Sequence, residues 1–307
     1  GPGSTPGPAR CCTQCGEVLV ELGISVGASI EADLRTRRAE ARQQAVTEYI
    51  LALADQAGYG AALIDAAAQG ASAASVITWP QFARMVRAAA RGLSRRGLRE
   101  ADTAGIFVQD AVSHVLAVHA VRAAGAIAAP VRPAHTAADI AAQLKDCRAR
   151  LLITSAELAE LAIQAAERSW VRQVFAFGEA EGTEPFGSLL HPARHGQLQA
   201  SGSNGHACAA RVLDLDGPDG LALDGLGLDR PALRLTRRDV VVAAPPCGDP
   251  DAYTALLDLA LAAGATVVAA PLPPVATAVG VYKGTAAIVP AGTSVPGLPP
   301  ERIFTVG

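Results

Sequence analysis

Residues 78–131 read TWPQFARMVRAAARGLSRRGLREADTAGIFVQDAVSHVLAVHAVRAAGAIAAPV and alternate between helical and strand patterns. The motif Thr78-Trp-Pro-Gln81 is typical of a capping box with proline in the first turn, and it predicts a helix that ends near Arg96. A strand over Thr103–Gln109 and a helix over Ala111–Ala124 follow. Short strands that alternate with helices predict the α/β class, with mostly parallel sheets flanked by helices.

The same alternation extends in both directions from this segment. Upstream, strands are predicted at Ala61–Asp65 and Ser75–Thr78. Downstream, the pattern is interrupted between His191 and Arg238, where Gly, Asp and Ser dominate, and it then resumes. The further predicted elements are strands at Ala126–Val131, Arg150–Thr154, Val171–Phe177, Asp239–Ala244, Thr266–Ala270 and Ala286–Pro290, and helices at Thr136–Cys147, Ser155–Arg168 and Pro250–Ala263.

Composition divides the chain of 307 residues into five segments. Residues 1–4 are typical of an expression-tag remnant. Residues 5–58 form a cysteine-containing arm and a charged helix, and residues 59–190 a first α/β subdomain. Residues 191–237 are an irregular connection, and residues 238–307 form a second subdomain that the pattern leaves incomplete.

Charge and hydropathy exclude several classes of partner. The formal net charge is −3, so the sequence does not predict the basic surface that binding of nucleic acid requires. The mean hydropathy is +0.26, which provides ample apolar residues for a buried core. The most apolar stretch, Ala252–Pro274, is interrupted by Asp258, Gly264 and three prolines, so no membrane span is predicted. The scarcity of lysine beside abundant arginine and alanine indicates a bacterial protein from a GC-rich genome. Its six cysteines have no regular spacing and predict no disulfide framework, so a cytoplasmic location is expected.

Several of these segments carry a family resemblance. They include Ala61-Ala-Leu-Ile-Asp65, Val108-Gln-Asp110, Ala117–Ala126, Ala137–Leu152 and, more weakly, Arg238–Pro271. In order, spacing and content this chain resembles the N-terminal part of the adenylate-forming superfamily, which includes acyl-CoA synthetases, aryl-CoA ligases and peptide-synthetase adenylation domains. The resemblance implies the fold and an acyl or aryl ligand.

The departures from that resemblance concern the ATP motifs. The superfamily has a Ser/Thr/Gly-rich phosphate-binding loop with a lysine, and the loop precedes the part of the superfamily that Arg238–Pro271 resembles. In this chain the corresponding interval, Arg211–Arg238, contains no Lys and no Ser. Ala244–Asp249 takes the place of an aromatic-aromatic-His segment. The chain is also shorter than the superfamily, which suggests truncation. No cofactor is therefore expected, and standard ATP-dependent ligation is not predicted.

A candidate site follows the predicted strand Asp239–Ala244. Ligands bind at the carboxyl ends of strands in doubly wound sheets, so Cys247 and Asp249 are candidate catalytic residues. Tyr253, Tyr282 and Lys283 are candidates for lining the same cleft. The alternative is an ordinary turn in which Asp249 caps the next helix.

Cysteine and histidine offer weaker candidates. Cys12 and Cys15 resemble half of a zinc ribbon, but the other cysteines are not paired as a second half, so a loosely ordered arm is the alternative. His114 and His119 are five residues apart on one predicted helix and are interpreted as core residues.

Three functions remain open. The first is a degenerate, acyl-CoA synthetase-like protein that acts as an accessory, binding or scaffold protein in bacterial acyl or secondary metabolism. The second is an enzyme with ATP-independent acyl or amide transfer near Cys247 and Asp249. The third is an interaction module, in which residues 5–56 dock onto a partner enzyme or form a homodimer.

Overall fold

The computed structural model of the protein describes residues 43–66, 76–132, 136–191, 235–246, 248–271 and 275–306. The described elements belong to one compact unit that begins at Gln44. The helices span 43–56 (α1), Trp79–Arg95 (α2), Ala111–Ala123 (α3), Ala137–Asp146 (α4), Ala159–Glu167 (α5), Pro250–Ala262 (α6) and Val275–Tyr282 (α7). The strands span Ala61–Asp65 (β1), Val76–Thr78 (β2), Thr103–Phe107 (β3), Ile127–Pro130 (β4), Leu151–Ser155 (β5), Gln173–Phe177 (β6), Glu184–Pro185 (β7), Val240–Ala243 (β8), Thr266–Ala269 (β9), Ala286–Pro290 (β10) and Ile303–Val306 (β11).

Two sheets organise these strands. One has six strands in the order β11-β10-β8-β9-β1-β2, and the other has five in the order β4-β3-β5-β6-β7. Every pair is parallel except β1 with β2, which is antiparallel. The predicted α/β class with mostly parallel sheets is therefore confirmed.

The six-stranded sheet joins segments that are distant in the chain. Strand β1 pairs in parallel with β9, so that Leu63 lies opposite Val267. The sequence-based division into the subdomains 59–190 and 238–307 therefore differs from the division into two sheets, since β1 and β2 lie in the sheet of the second subdomain. In that sheet the buried residues Ala62 and Leu63 of β1 lie beside the apolar strand β9.

Helix α3 is the buried link between the two sheets. Its first half packs in the core of the six-stranded sheet through Ala111 and Val115, and its second half packs in the core of the five-stranded sheet through Val118 and Val121. A helix with apolar residues on every side is expected to be buried, and in α3 the polar residues His114, His119 and Arg122 are buried as well. At its N-terminus, the Asp110 carboxylate accepts a hydrogen bond from the Ser113 backbone N–H at 2.7 Å.

The local signals in the sequence account for the start of α2. The Thr78 backbone N–H donates to Gln81 Oε1 at 2.8 Å, as a capping box predicts. One turn before the end of the helix, Gly92 permits a close approach of the chain near Leu189. A Cβ placed on Gly92 would lie 2.4 Å from the Leu189 carbonyl oxygen, so only glycine fits there.

Two elements differ from the sequence-based expectation. Helix α7 was not predicted, because the stretch Val-Ala-Thr-Ala-Val-Gly-Val-Tyr has no polar face from which to recognise a helical period. Strand β11 was not predicted either, because it follows a Pro/Gly-rich stretch, and it pairs in parallel with β10. Of the arm and charged helix predicted within residues 5–58, the part before residue 43 lies outside the described residues, whose first helix is α1.

Candidate functional site

A cleft of about 440 Å³ opens at the carboxyl ends of strands from both sheets. Asp65 is the last residue of β1, and Gln109 and Asp110 follow β3. Glu157 follows β5 in a short 3₁₀ turn. Ala111, the first residue of α3, also lines the cleft. The remaining lining residues come from the ends of β8 and β9 and are Ala243, Pro245, Ala269, Ala270 and Pro271. This is the edge at which parallel sheets bind ligands.

The cleft has an acidic lining. Asp65, Asp110 and Glu157 contribute carboxyl groups, and the described lining residues include no Arg or Lys. Burial raises the pKa of the Asp110 carboxyl, and the charge of Asp65 adds to this rise, while the hydrogen bonds from Ser113 oppose it. The arrangement favours a neutral or cationic group in the cleft and disfavours an anion.

The predicted catalytic pair is only partly described. Cys247 lies outside the described residues. Asp249 is exposed and caps α6, since its Oδ1 accepts from the Asp251 backbone N–H at 2.9 Å. The capping interpretation therefore accounts for Asp249, and a catalytic role for Cys247 and Asp249 stays a prediction.

Tyr253 does not line the cleft, because its side chain is 0% exposed. Its hydroxyl donates to the Ala244 carbonyl oxygen at 2.7 Å. Its ring packs edge-to-face on His114, with 5.2 Å between the ring centroids. Tyr253 thus fastens α6 to the end of β8 and to α3, beneath the edge where the cleft opens.

Tyr282 and Lys283 lie at the opposite end of the six-stranded sheet, where the amino ends of its parallel strands are. They precede β10, and the next residues, Gly284 and Thr285, lead into its amino end, where the Thr285 backbone N–H donates to the Val240 carbonyl oxygen. Because β8 and β10 pair in parallel, their amino ends lie together at the end of the sheet opposite to the cleft. The structure therefore does not bring these two residues to the cleft with Asp249.

The two core histidines belong to a buried polar network between α1, α3 and α6. The Thr254 hydroxyl donates to the Pro250 carbonyl oxygen at 2.7 Å, so His114 Nε2, 2.8 Å from that hydroxyl oxygen, carries a proton and donates to it. His119 Nδ1 lies 2.9 Å from Thr47 Oγ1. Burial lowers the pKa of each imidazole from 6.5 to about 3, and the charge of Arg122 contributes.

An ion pair completes this network. Arg122, which is 4% exposed, donates from Nη1 to Asp258 Oδ2 at 2.7 Å, and His119 Nε2 lies 3.5 Å from the other carboxylate oxygen. Burial raises the pKa of Asp258, and the adjacent guanidinium opposes that rise. Sequence reasoning missed this pair, although Asp258 within the run Leu256-Leu257-Asp258-Leu259 signals a buried carboxylate that needs a partner.

The described part of the chain contains no group of three or more His, Cys, Asp or Glu side chains placed to hold a metal ion. Cys12 and Cys15 lie outside it. None of the described helices combines the length and the apolar content needed to cross a membrane.

Comparison with known proteins agrees with this fold. Residues 55–197 match the family model described as AMP-binding enzyme, which confirms the resemblance of this part of the chain to the adenylate-forming superfamily. A long-chain-fatty-acid-CoA ligase from Archaeoglobus fulgidus is 21% identical, with a TM-score of 0.60 over 80% of this chain and 51% of that one. A benzoate CoA ligase from Burkholderia xenovorans LB400 is 19% identical, with a TM-score of 0.57 over 80% and 50%.

An amide bond synthetase from Marinactinospora thermotolerans is 16% identical, with a TM-score of 0.56 over 81% of this chain and 48% of that one. At these identities the similarity shows the shared fold. The chain spans about half the length of these solved structures.

Proposed function

We propose that this chain, whose residues 55–197 match the AMP-binding enzymes, is a small-molecule-binding accessory protein that does not carry out ATP-dependent ligation. Its ligand is a small acyl or aryl compound with a neutral or cationic polar group. The binding place is the cleft at the carboxyl ends of β1, β3, β8 and β9. A volume of about 440 Å³ lies within the usual range for such ligands.

The acidic lining of the cleft is the observation that carries this proposal. A nucleoside triphosphate brings several negative charges, and its binding sites supply cations and backbone N–H groups to receive them. Here Asp65, Asp110 and Glu157 face the ligand space, and the described lining offers no cationic side chain. The field of such a cleft opposes a triphosphate and supports an amine or amide.

The sequence before strand β8 supports the same conclusion. Arg211–Arg238 contains no Lys and no Ser, and its only Thr is Thr236. The described part of this interval includes Thr236, whose backbone N–H and hydroxyl both donate to the Asp239 carboxylate, at 2.7 and 2.8 Å. That threonine is therefore engaged within the protein and does not act as a phosphate-loop hydroxyl.

Incubation of the full chain with ATP·Mg²⁺, coenzyme A and a panel of aliphatic and aromatic carboxylic acids should yield no AMP above a protein-free blank. The physical reason is that transfer of the adenylyl group needs cations at the phosphates, and the described lining residues of the cleft supply none. Nucleotide chromatography measures AMP, and an active acyl-CoA ligase assayed in parallel shows that the conditions permit turnover. AMP formation that depends on the added acid would contradict the proposal.

Ligand charge should decide affinity for the cleft. Benzylamine, benzamide and benzoate share one ring and are cationic, neutral and anionic, so calorimetric titration should rank them in that order from tightest to weakest. Glu157→Gln should weaken benzylamine binding up to about fivefold, the scale of an exposed charge pair, and leave benzamide unchanged. Glu160→Gln, an exposed acid outside the cleft lining, is the matched control. Tighter binding of benzoate than of benzylamine would exclude an acidic ligand site.

A further inference from the structure

A second concavity, of about 900 Å³, lies between α1, α2 and the end of α3. Four arginines line it, and we call it the arginine groove. Three of them, Arg87, Arg91 and Arg95, follow one another along α2 at helical spacing, and the fourth, Arg122, comes from the last turn of α3. Its character is opposite to that of the acidic cleft.

The arginine groove and the cleft are separate places. The cleft is lined by Ala111, the first residue of α3, whereas the groove is lined by Arg122, Ala123 and Ala124 at the other end of that helix. With a rise of 1.5 Å per residue, the two ends of α3 are about 18 Å apart. A ligand in one place therefore does not occupy the other.

Two of the four arginines are already paired within the protein. Arg87 donates to both carboxylate oxygens of Asp55, at 2.7 and 2.6 Å. Arg122 is paired with Asp258, and its Nε–H is buried with no hydrogen-bond partner in the described part of the chain. Both guanidinium groups therefore already have a carboxylate partner within the protein.

The other two arginines keep donors for a ligand. Among the described residues neither Arg91 nor Arg95 forms an ion pair, and both are exposed. Arg95 makes one hydrogen bond, from Nη2 to the His191 carbonyl oxygen at 3.1 Å. Because Arg91 and Arg95 are four residues apart on one helix, their side chains are neighbours and can reach one anion together.

The other lining residues indicate which kind of ligand the groove can accommodate. Glu48 is the one carboxylate among the described lining residues, so the balance of unpaired charge in the groove is positive. Apolar surface comes from four residues of three elements, namely Leu51, Ala90, Ala123 and Ala124. A ligand with an anionic head and an apolar body matches a surface that is cationic on one side and apolar on the other.

We propose that the arginine groove binds a small organic phosphate, with the phosphate held by Arg91 and Arg95 and the organic body on the floor of Leu51, Ala90, Ala123 and Ala124. Paired guanidinium forks match the oxygens of a phosphate dianion in geometry and in charge, which a single carboxylate matches less fully. The volume of about 900 Å³ accommodates a body larger than the phosphate itself.

Titration calorimetry of the full chain at low ionic strength, with phenyl phosphate as the probe, tests this proposal. Phenyl phosphate should bind at least about tenfold more tightly than inorganic phosphate, because only the former has an apolar body for the floor. Arg91→Gln should weaken phenyl phosphate binding about tenfold, as expected for loss of charge-assisted hydrogen bonds. Raising the ionic strength to that of the cell should weaken binding further.

Arg84→Gln is the matched control, because it removes the same charge from the same helix at a residue outside the groove lining. It should change affinity less than twofold. Glutamine is a good helix former, and unchanged far-ultraviolet circular dichroism confirms that α2 persists in both variants. Equal binding of inorganic and phenyl phosphate, or full binding by Arg91→Gln, would refute the proposal. Neither probe is a nucleotide or an amine, so this test and the tests of the cleft fail independently.

Discussion

Replacing Asp258 with Asn should lower the free energy of unfolding by about 3–5 kcal/mol, the cost of leaving a buried charge without its partner. The Arg122 guanidinium is 4% exposed and donates to the Asp258 carboxylate at 2.7 Å. Without the negative charge, the guanidinium stays buried and uncompensated. His119 loses its nearby carboxylate oxygen at the same time.

Urea unfolding followed by circular dichroism measures this loss, and the exposed pair of Asp55 and Arg87 supplies the matched control. Its side chains are 54% and 39% exposed, so Asp55→Asn should cost at most about 1 kcal/mol even though its hydrogen bonds are as short. Equal losses for the two Asp→Asn variants would contradict a buried ion pair at Asp258.

A double variant separates charge from packing. Asp258→Asn combined with Arg122→Met removes both members of the pair and fills most of the same space with apolar atoms. The double variant should be more stable than Asp258→Asn alone, because no unpaired charge remains. If the two substitutions were simply additive, the contribution of Asp258 would lie in its contacts within α6 and not in its pairing with Arg122.

The outcome for the fold shows which signals in a sequence are local. The capping box at Thr78 and the apolar run of α3 lie within single elements, and both were predicted close to their observed places. Helix α7 has no polar face, and its period could not be recognised. The pairing of β1 with β9 joins residues about 200 positions apart, and no local pattern specifies which buried strand lies beside another.

The candidate site shows the same division. The end of the sheet at which the cleft opens could be predicted, because ligand sites in parallel sheets lie at the carboxyl ends of strands. The residues of the cleft could not. Asp65 and Glu157 meet only because strands of two different sheets end at one cleft, and Tyr282 was assigned to that cleft although it lies at the amino ends of the strands.

Acidification from pH 6.5 to pH 5 should lower the free energy of unfolding by about 3 kcal/mol through His114 and His119 alone. Burial, with a contribution from the charge of Arg122, lowers the pKa of both imidazoles from 6.5 to about 3. In this window the unfolded chain takes up a proton at each histidine and the folded protein does not. Stability is therefore fully present above pH 6.5 and falls as the pH falls, by at most about 1.4 kcal/mol per pH unit for each histidine.

Single substitutions show whether the two histidines cause this dependence of the free energy of unfolding on pH. His114→Gln and His119→Gln should each reduce the loss between pH 6.5 and pH 5 by about half, whatever each costs in stability at pH 7, and urea unfolding at a series of pH values measures both quantities. The window lies above the range in which ordinary carboxyl groups titrate, so Asp55, Asp102 and Asp239, whose pKa values are lowered, contribute only in more acid solution. An unchanged slope in both variants would mean that the two imidazoles are protonated in the folded protein. We expect the opposite for each ring. The described partners of the His114 ring are Thr254 and Tyr253, and neither carries a charge that would stabilise an imidazolium. His119 lies 3.5 Å from the Asp258 carboxylate, but that carboxylate is already paired with Arg122, whose positive charge disfavours a second cation beside it.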